Sequence, residues 1–127
     1  MKHPTLTVAG STAPALPADA TRPGGTDPRP VAEIVTFRLA AGVSDADFLA
    51  AARDVEGILS RAPGFRARNL SGTGDGTWTD HVVWESMAQA TAAAESLMAN
   101  PAAGPFLQAI DPDSIAMRHE TILSQME

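Results

Sequence analysis

The side chains best suited to chemistry crowd into DGTWTDHVVWES, residues 75–86. This stretch holds both tryptophans of the chain, one of its three histidines and three carboxylates. Read linearly, it resembles a Trp-His-Trp site. Its Trp, Thr and Val content is that of a strand, however, and side chains in a strand alternate sides. Trp78, Asp80, Val82 and Trp84 then share one face, and Thr79, His81, Val83 and Glu85 share the other. His81 therefore joins neither tryptophan. Trp78 and Trp84 lie about 20 Å apart at ~3.3 Å per residue, too far to close one small pocket. Trp84, deeper in the strand, is the better candidate to line a ligand cavity; the plainer alternative is core packing.

His119, in AMRHET, is the second candidate. It shares the parity of Met117 and Thr121, and a histidine among apolar neighbours can act as a general base. More often such a residue is a hydrogen-bonded core or interface group. Glu33 comes within reach of His119 where the first strand lies beside the last. Arg118 and Glu120 face away from His119 and read as rim charges. His3, His81 and His119 are too scattered for metal-ligand spacing, so no metal is expected. GTGDG leads into a strand and reads as a turn, not a phosphate loop. No G-x-S-x-G nucleophile elbow occurs. Asn69-Leu70-Ser71 matches a glycosylation sequon, which matters only in a secreted eukaryotic protein.

The elements that must position these residues begin at Val31. VAEIVTFRL (31–39) is β-branched and aromatic, and predicts a strand. Ser44 is placed to cap a helix over 45–62, with Asp45 and Asp47 at its positive end. Phe48, Ala51, Ala52, Val55, Ile58 and Leu59 form its apolar stripe, and Pro63-Gly64 stops it. FRARNLS (65–71) alternates as a short strand, GTGDGT (72–77) carries an Asp-Gly hairpin signal, and WTDHVVWES (78–86) returns. MAQATAAAESLMAN (87–100) predicts a helix with Ala90, Ala94, Leu97 and Met98 inward. Residues 101–113 are irregular, with room for one helical turn, and SIAMRHETIL (114–123) is the last strand. The order β-α-β-β-α-β predicts an α+β, ferredoxin-like domain over 31–127. Its four-stranded antiparallel sheet carries two helices on one face.

Register decides which residues meet across the hairpin. An even-length loop sets Phe65, Ala67 and Asn69 beside Trp84, Val82 and Asp80, and turns Arg66 and Arg68 to the face of Glu85, Val83 and His81. An odd-length loop swaps the faces. The even case groups apolar with apolar and is the expectation.

Residues 1–30, rich in Pro, Ala, Thr and Gly, show neither a period of two nor a helical one and read as a flexible tail. A cleaved signal peptide is the rival reading. Lys2 and His3 make a thin basic region and LTVAG a short apolar one, so a cytoplasmic location is expected. The absence of cysteine excludes a disulfide framework, thiol catalysis and thiolate metal sites. The formal charge of −6 disfavours nucleic acid, and no run of 18 apolar residues exists to span a membrane. Eight arginines against one lysine, with much alanine, suit a GC-rich bacterial genome.

Two helices cover only one face of the sheet, yet both parities of the first strand carry apolar residues: Val35, Phe37 and Leu39 on one, Ala32 and Ile34 on the other. The last strand repeats this. A second copy packing sheet to sheet would cover the open face, so a homodimer is expected.

VAEIVTFRL, the PGF after the first helix, the DGTWTDHVVWES strand running into an alanine-rich helix, and SIAMRHETIL together resemble the dimeric α/β-barrel superfamily. That group includes the antibiotic-biosynthesis monooxygenase-like proteins. The resemblance covers residues 31–123. It implies a dimer whose two sheets form a barrel, with a pocket in each subunit between sheet and helices. It also implies, for some members, cofactor-free oxygenation of an electron-rich phenolic substrate that itself reduces dioxygen; no cofactor is then expected. Haem-degrading members use an Asn, a Trp and a His. Asn69, Trp84 and His119 are the right types, but that pattern needs its Asn on the first strand and its His on the second helix, and neither is there. The tyrosine of some quinone-forming members is absent too. On this reading His119 is the catalytic candidate, and Trp84, Asn69, Phe37 and Glu33 line the substrate site. The alternative is a non-catalytic ligand-binding or dimerisation domain.

Overall fold

Strand β1 (Val31–Arg38) runs through the centre of the domain, and a computed structural model describes residues 29–126 around it. The segment read as a tail lies outside the described residues except for Arg29 and Pro30. After β1 come α1 (Asp45–Ser60), β2 (Phe65–Gly72), β3 (Thr77–Trp84) and α2 (Met87–Ala99). A 3-10 turn (Pro101–Ala103), α3 (Gly104–Gln108), a second 3-10 turn (Pro112–Ser114) and β4 (Ala116–Thr121) complete the chain. The sheet order is β2-β3-β1-β4, with every pairing antiparallel. The expected ferredoxin-like α+β arrangement is therefore the observed one. The irregular 101–113 stretch holds more helix than its sequence showed.

Helix α1 starts where Ser44 predicts, its side chain accepting the Asp47 amide at 3.0 Å. Phe48, Ala52, Val55 and Leu59 recur at helical spacing and are buried against the sheet. Phe48 is the hub, edge-on to Phe37 and Trp78 and stacked on Phe106 of α3. Full burial of a side chain such as Phe37, Phe48 or Val55 stabilises by about 1.5–3 kcal/mol each. Helix α2 is capped by Ser86, which the sequence placed at a strand end; its hydroxyl accepts the Gln89 amide at 3.2 Å. Ala90 and Ala93 face the core, whereas Met98, expected inward, is 58% exposed. Leu97, in the last turn of α2, packs against the core, and α3 adds Phe106 to it.

The hairpin corrects the expected register. Gly74, Asp75 and Gly76 form a three-residue loop closed by the Thr73 amide donating to the Thr77 carbonyl at 2.9 Å. Gly74 and Gly76 take positive φ, 90° and 105°, which glycine adopts without penalty. Ala67–Gly72 therefore pairs in the odd register: Arg68 opposite Val82, Asn69 opposite His81, Leu70 opposite Asp80. A β-bulge at Arg66 then restores the even register, and Phe65 meets Trp84. One extra residue flips every side chain beyond it to the other face. Asn69 and Ala67 thus lie on the open face, and Arg68 lies under the helices.

Candidate active site

The helix-facing side of the sheet carries a row of polar groups among its apolar ones. Glu33, Val82 and His119 stand opposite one another on β1, β3 and β4. His119 Nε2 lies 3.1 Å from Glu33 Oε2, with the side chains 25% and 12% exposed. The other carboxylate oxygen, Oε1, accepts from the Trp84 indole N–H at 3.4 Å. Trp84 is 1% exposed and takes the Phe65 ring edge-on at 5.9 Å between centroids. The sequence placed Glu33 within reach of His119, and the β1–β4 register sets them side by side.

The remaining candidates are dispersed. Phe37 shares this face but lies four residues along β1, in the core beside Phe48. Asn69 is exposed on the opposite face, level with His81. The structure therefore brings Glu33, Trp84 and His119 together and leaves Phe37 and Asn69 apart from them.

A second polar pair was not legible in the sequence. Arg68 donates twice to Asp80, through Nε at 2.8 Å and Nη2 at 2.7 Å, with the side chains only 9% and 13% exposed. Its guanidinium also lies 5.6 Å from the Phe106 ring centroid, a cation–π distance. The signal for it was Asp80 itself, a carboxylate on the parity of Val82 and Trp84, where burial demands a partner. Arg118 and Glu120 form an exposed pair at 2.8 Å on the open face, as their parity suggested. In the hairpin, hydrogen bonds from the Thr73 hydroxyl and the Thr77 backbone hold the Asp75 carboxyl below its usual range, far from the site.

A cavity of about 290 Å³ opens between α1 and β2, lined by Glu56, Leu59, Ser60, Phe65, Arg68 and Leu70. A larger groove of about 420 Å³ runs between α1 and α2 past Ile58, Ala62, Gln89 and Ala93. Neither is lined by Glu33, Trp84 or His119. Phe65 is the link, since it walls the first cavity and packs on Trp84. Among the described residues, no group of three His, Cys, Asp or Glu could hold a metal ion, and no helix is long and apolar enough to cross a membrane.

The chain aligns with a candidate antibiotic biosynthesis monooxygenase of Bordetella bronchiseptica at TM-score 0.63 and 19% identity, over 76% of this chain and 99% of that one. It shares the fold of the antibiotic-biosynthesis monooxygenase-like proteins. SnoaB, a cofactor-independent oxygenase from Streptomyces nogalater, aligns at TM-score 0.54 and 16% identity over 78% of this chain and 96% of its own. The hydroxynitrile lyase of Passiflora edulis aligns at TM-score 0.54 and 18% identity, covering 79% and 99%. An oxygenase and a lyase on one fold mean that the chemistry is set by the site. No protein-family model and no curated protein matches the chain.

Proposed function

We propose that this chain is a small-molecule-binding protein of the dimeric α/β-barrel kind, a homodimer packed sheet to sheet, that oxygenates an aromatic substrate without a cofactor. The observation that carries the reading is the half-buried His119–Glu33 pair on the helix-facing side of the sheet. An imidazole oriented by a carboxylate is suited to removing a proton from an acidic O–H. A phenol deprotonated in this way is electron-rich enough to give electrons to dioxygen. One oxygen atom enters the ring and the other leaves as water, taking the phenolic and the ring hydrogen, so the phenol ends as a quinone and supplies all four electrons itself. The likeness to SnoaB supports this reading at the level of fold. Trp84, Phe37 and Asn69 keep the substrate-lining role proposed for them only where a ligand reaches them.

The non-catalytic reading has its own support. Trp84 is fully packed, and the cavity beside α1 lies on the far side of β3 and β1 from His119. With strands ~4.8 Å apart, that is about 14 Å.

The test is native mass spectrometry of freshly purified protein, followed by dioxygen uptake with a panel of phenols. Oxygenation predicts a dimer, uptake with a subset of the panel, and loss of uptake in His119→Ala with the dimer retained. Unchanged uptake in His119→Ala removes His119 from the chemistry. A bound small molecule without uptake on any phenol favours the binding module.

A further inference from the structure

We infer that Glu33 acts on His119 rather than on a ligand: its carboxylate, anchored by the Trp84 indole, fixes the Nε2–H tautomer of His119 and leaves Nδ1 as the nitrogen free to take a proton. The assignment of Nδ1 as the working nitrogen rests on the reading of His119 as the base. The tautomer itself does not depend on that reading.

Donors and acceptors decide which ring nitrogen carries the hydrogen. An ionised carboxylate only accepts, an indole N–H only donates, and a neutral imidazole donates from one nitrogen and accepts at the other. Glu33 Oε2 at 3.1 Å from His119 Nε2 therefore requires Nε2 to carry the hydrogen. Oε1 is taken by Trp84 Nε1 at 3.4 Å. Each oxygen of Glu33 already accepts one bond inside the protein and the side chain is only 12% exposed, which makes it a positioning residue.

The anchorage runs from the core outward. Glu33 sits on the central strand β1, with Val82 on one side and His119 on the other. Trp84 is 1% exposed and held by the edge of Phe65. The line Phe65–Trp84–Glu33–His119 thus carries the order of the core out to a ring that is one-quarter exposed. Among the described residues nothing bonds His119 Nδ1.

The experiment is nitrogen-15 NMR of the His119 ring in the full chain, at a pH where the ring is neutral. Wild type is expected to show a pyrrole-type Nε2 and a pyridine-type Nδ1. An Nδ1–H ring in wild type overturns the inference with no variant needed. Free imidazole side chains also favour Nε2–H, so the decisive readout is Glu33→Gln, which keeps the shape. The Trp84 N–H then claims the amide oxygen and turns the amide NH2 toward His119 Nε2, which must accept. The tautomer reverses to Nδ1–H. Adding Trp84→Phe frees the amide to rotate, and the ring returns to Nε2–H. A Glu33→Gln ring that stays Nε2–H overturns the proposal, and a double variant that stays Nδ1–H overturns the part given to Trp84. No substrate is needed for any of these readings. A tautomer that reverses as expected, in a protein whose dioxygen uptake ignores His119→Ala, would remove His119 from the chemistry and leave the tautomer lock standing.

Discussion

Arg68 and Asp80 place opposite charges beneath the helices, at 2.7 Å and with little exposure. Removing one partner of such a pair leaves the other buried and uncompensated. Asp80→Ala is expected to destabilise by about 3–5 kcal/mol, while a joint Arg68→Met, Asp80→Leu replacement costs much less. Urea denaturation with an unchanged slope measures both. An Asp80→Ala loss below about 1 kcal/mol would mean that the pair is solvated and contributes as a surface pair does. The two polar clusters differed in legibility. Glu33 and His119 lie on strands that the β-α-β-β-α-β order makes neighbours, so their meeting followed from topology. Arg68 and Asp80 lie on the hairpin, where the face of every β2 side chain hangs on one residue of register. The sequence left two registers open, and the chain uses both.

That residue is Arg66, and at the scale of the element it makes a sharp pair of deletions. Deleting Arg66 removes the bulge and leaves Ala67 opposite Val83 and Arg68 opposite Val82, so each β2 side chain keeps its face. Deleting Asn69 also removes the bulge, but moves Arg68 opposite His81 on the open face and strands Asp80. The Arg66 deletion is expected to cost about 1 kcal/mol, an ordinary loss, and the Asn69 deletion about 3–5 kcal/mol, the penalty for an unpaired buried charge. Equal losses in thermal or urea unfolding would show that the bulge is not what sets the face of Arg68. The long helices were legible because their apolar residues repeat at 3.6, and the strands because of their β-branched and aromatic content between turn signals. The two 3-10 turns and α3 were not, since three to five residues are too few to show a period. Ser86 hid as the α2 cap because the alternation of β3 reads on past Trp84.

On the scale of the whole molecule, the proposed homodimer would pack through the face of the sheet away from the helices. Its centre is Ala32, Ile34 and Val83, each no more than 7% exposed in the single chain, and the more accessible positions around them are Thr36, Thr79, His81, Asn69 and Ala67. A stable dimer needs about 800 Å² from each partner, so a sheet-to-sheet pair would have to enlist the polar rim of this face as well as its centre. Thr36 lies near the middle of this face, on the central strand, with neither charge nor full burial in the single chain. Thr36→Arg can extend into solvent in a monomer, and its effect on the stability of the single chain is expected to stay within about 0.5 kcal/mol. In a sheet-to-sheet dimer the same guanidinium would be buried against its symmetry mate, two like charges without a carboxylate between them. Sedimentation velocity is therefore expected to show a dimer for wild type and a monomer for Thr36→Arg, with the far-ultraviolet spectrum unchanged. Wild type sedimenting as a monomer, or Thr36→Arg as a dimer, would place the assembly elsewhere. Either result would leave His119 and Glu33 in position, because both lie on the face that the chain covers with its own helices.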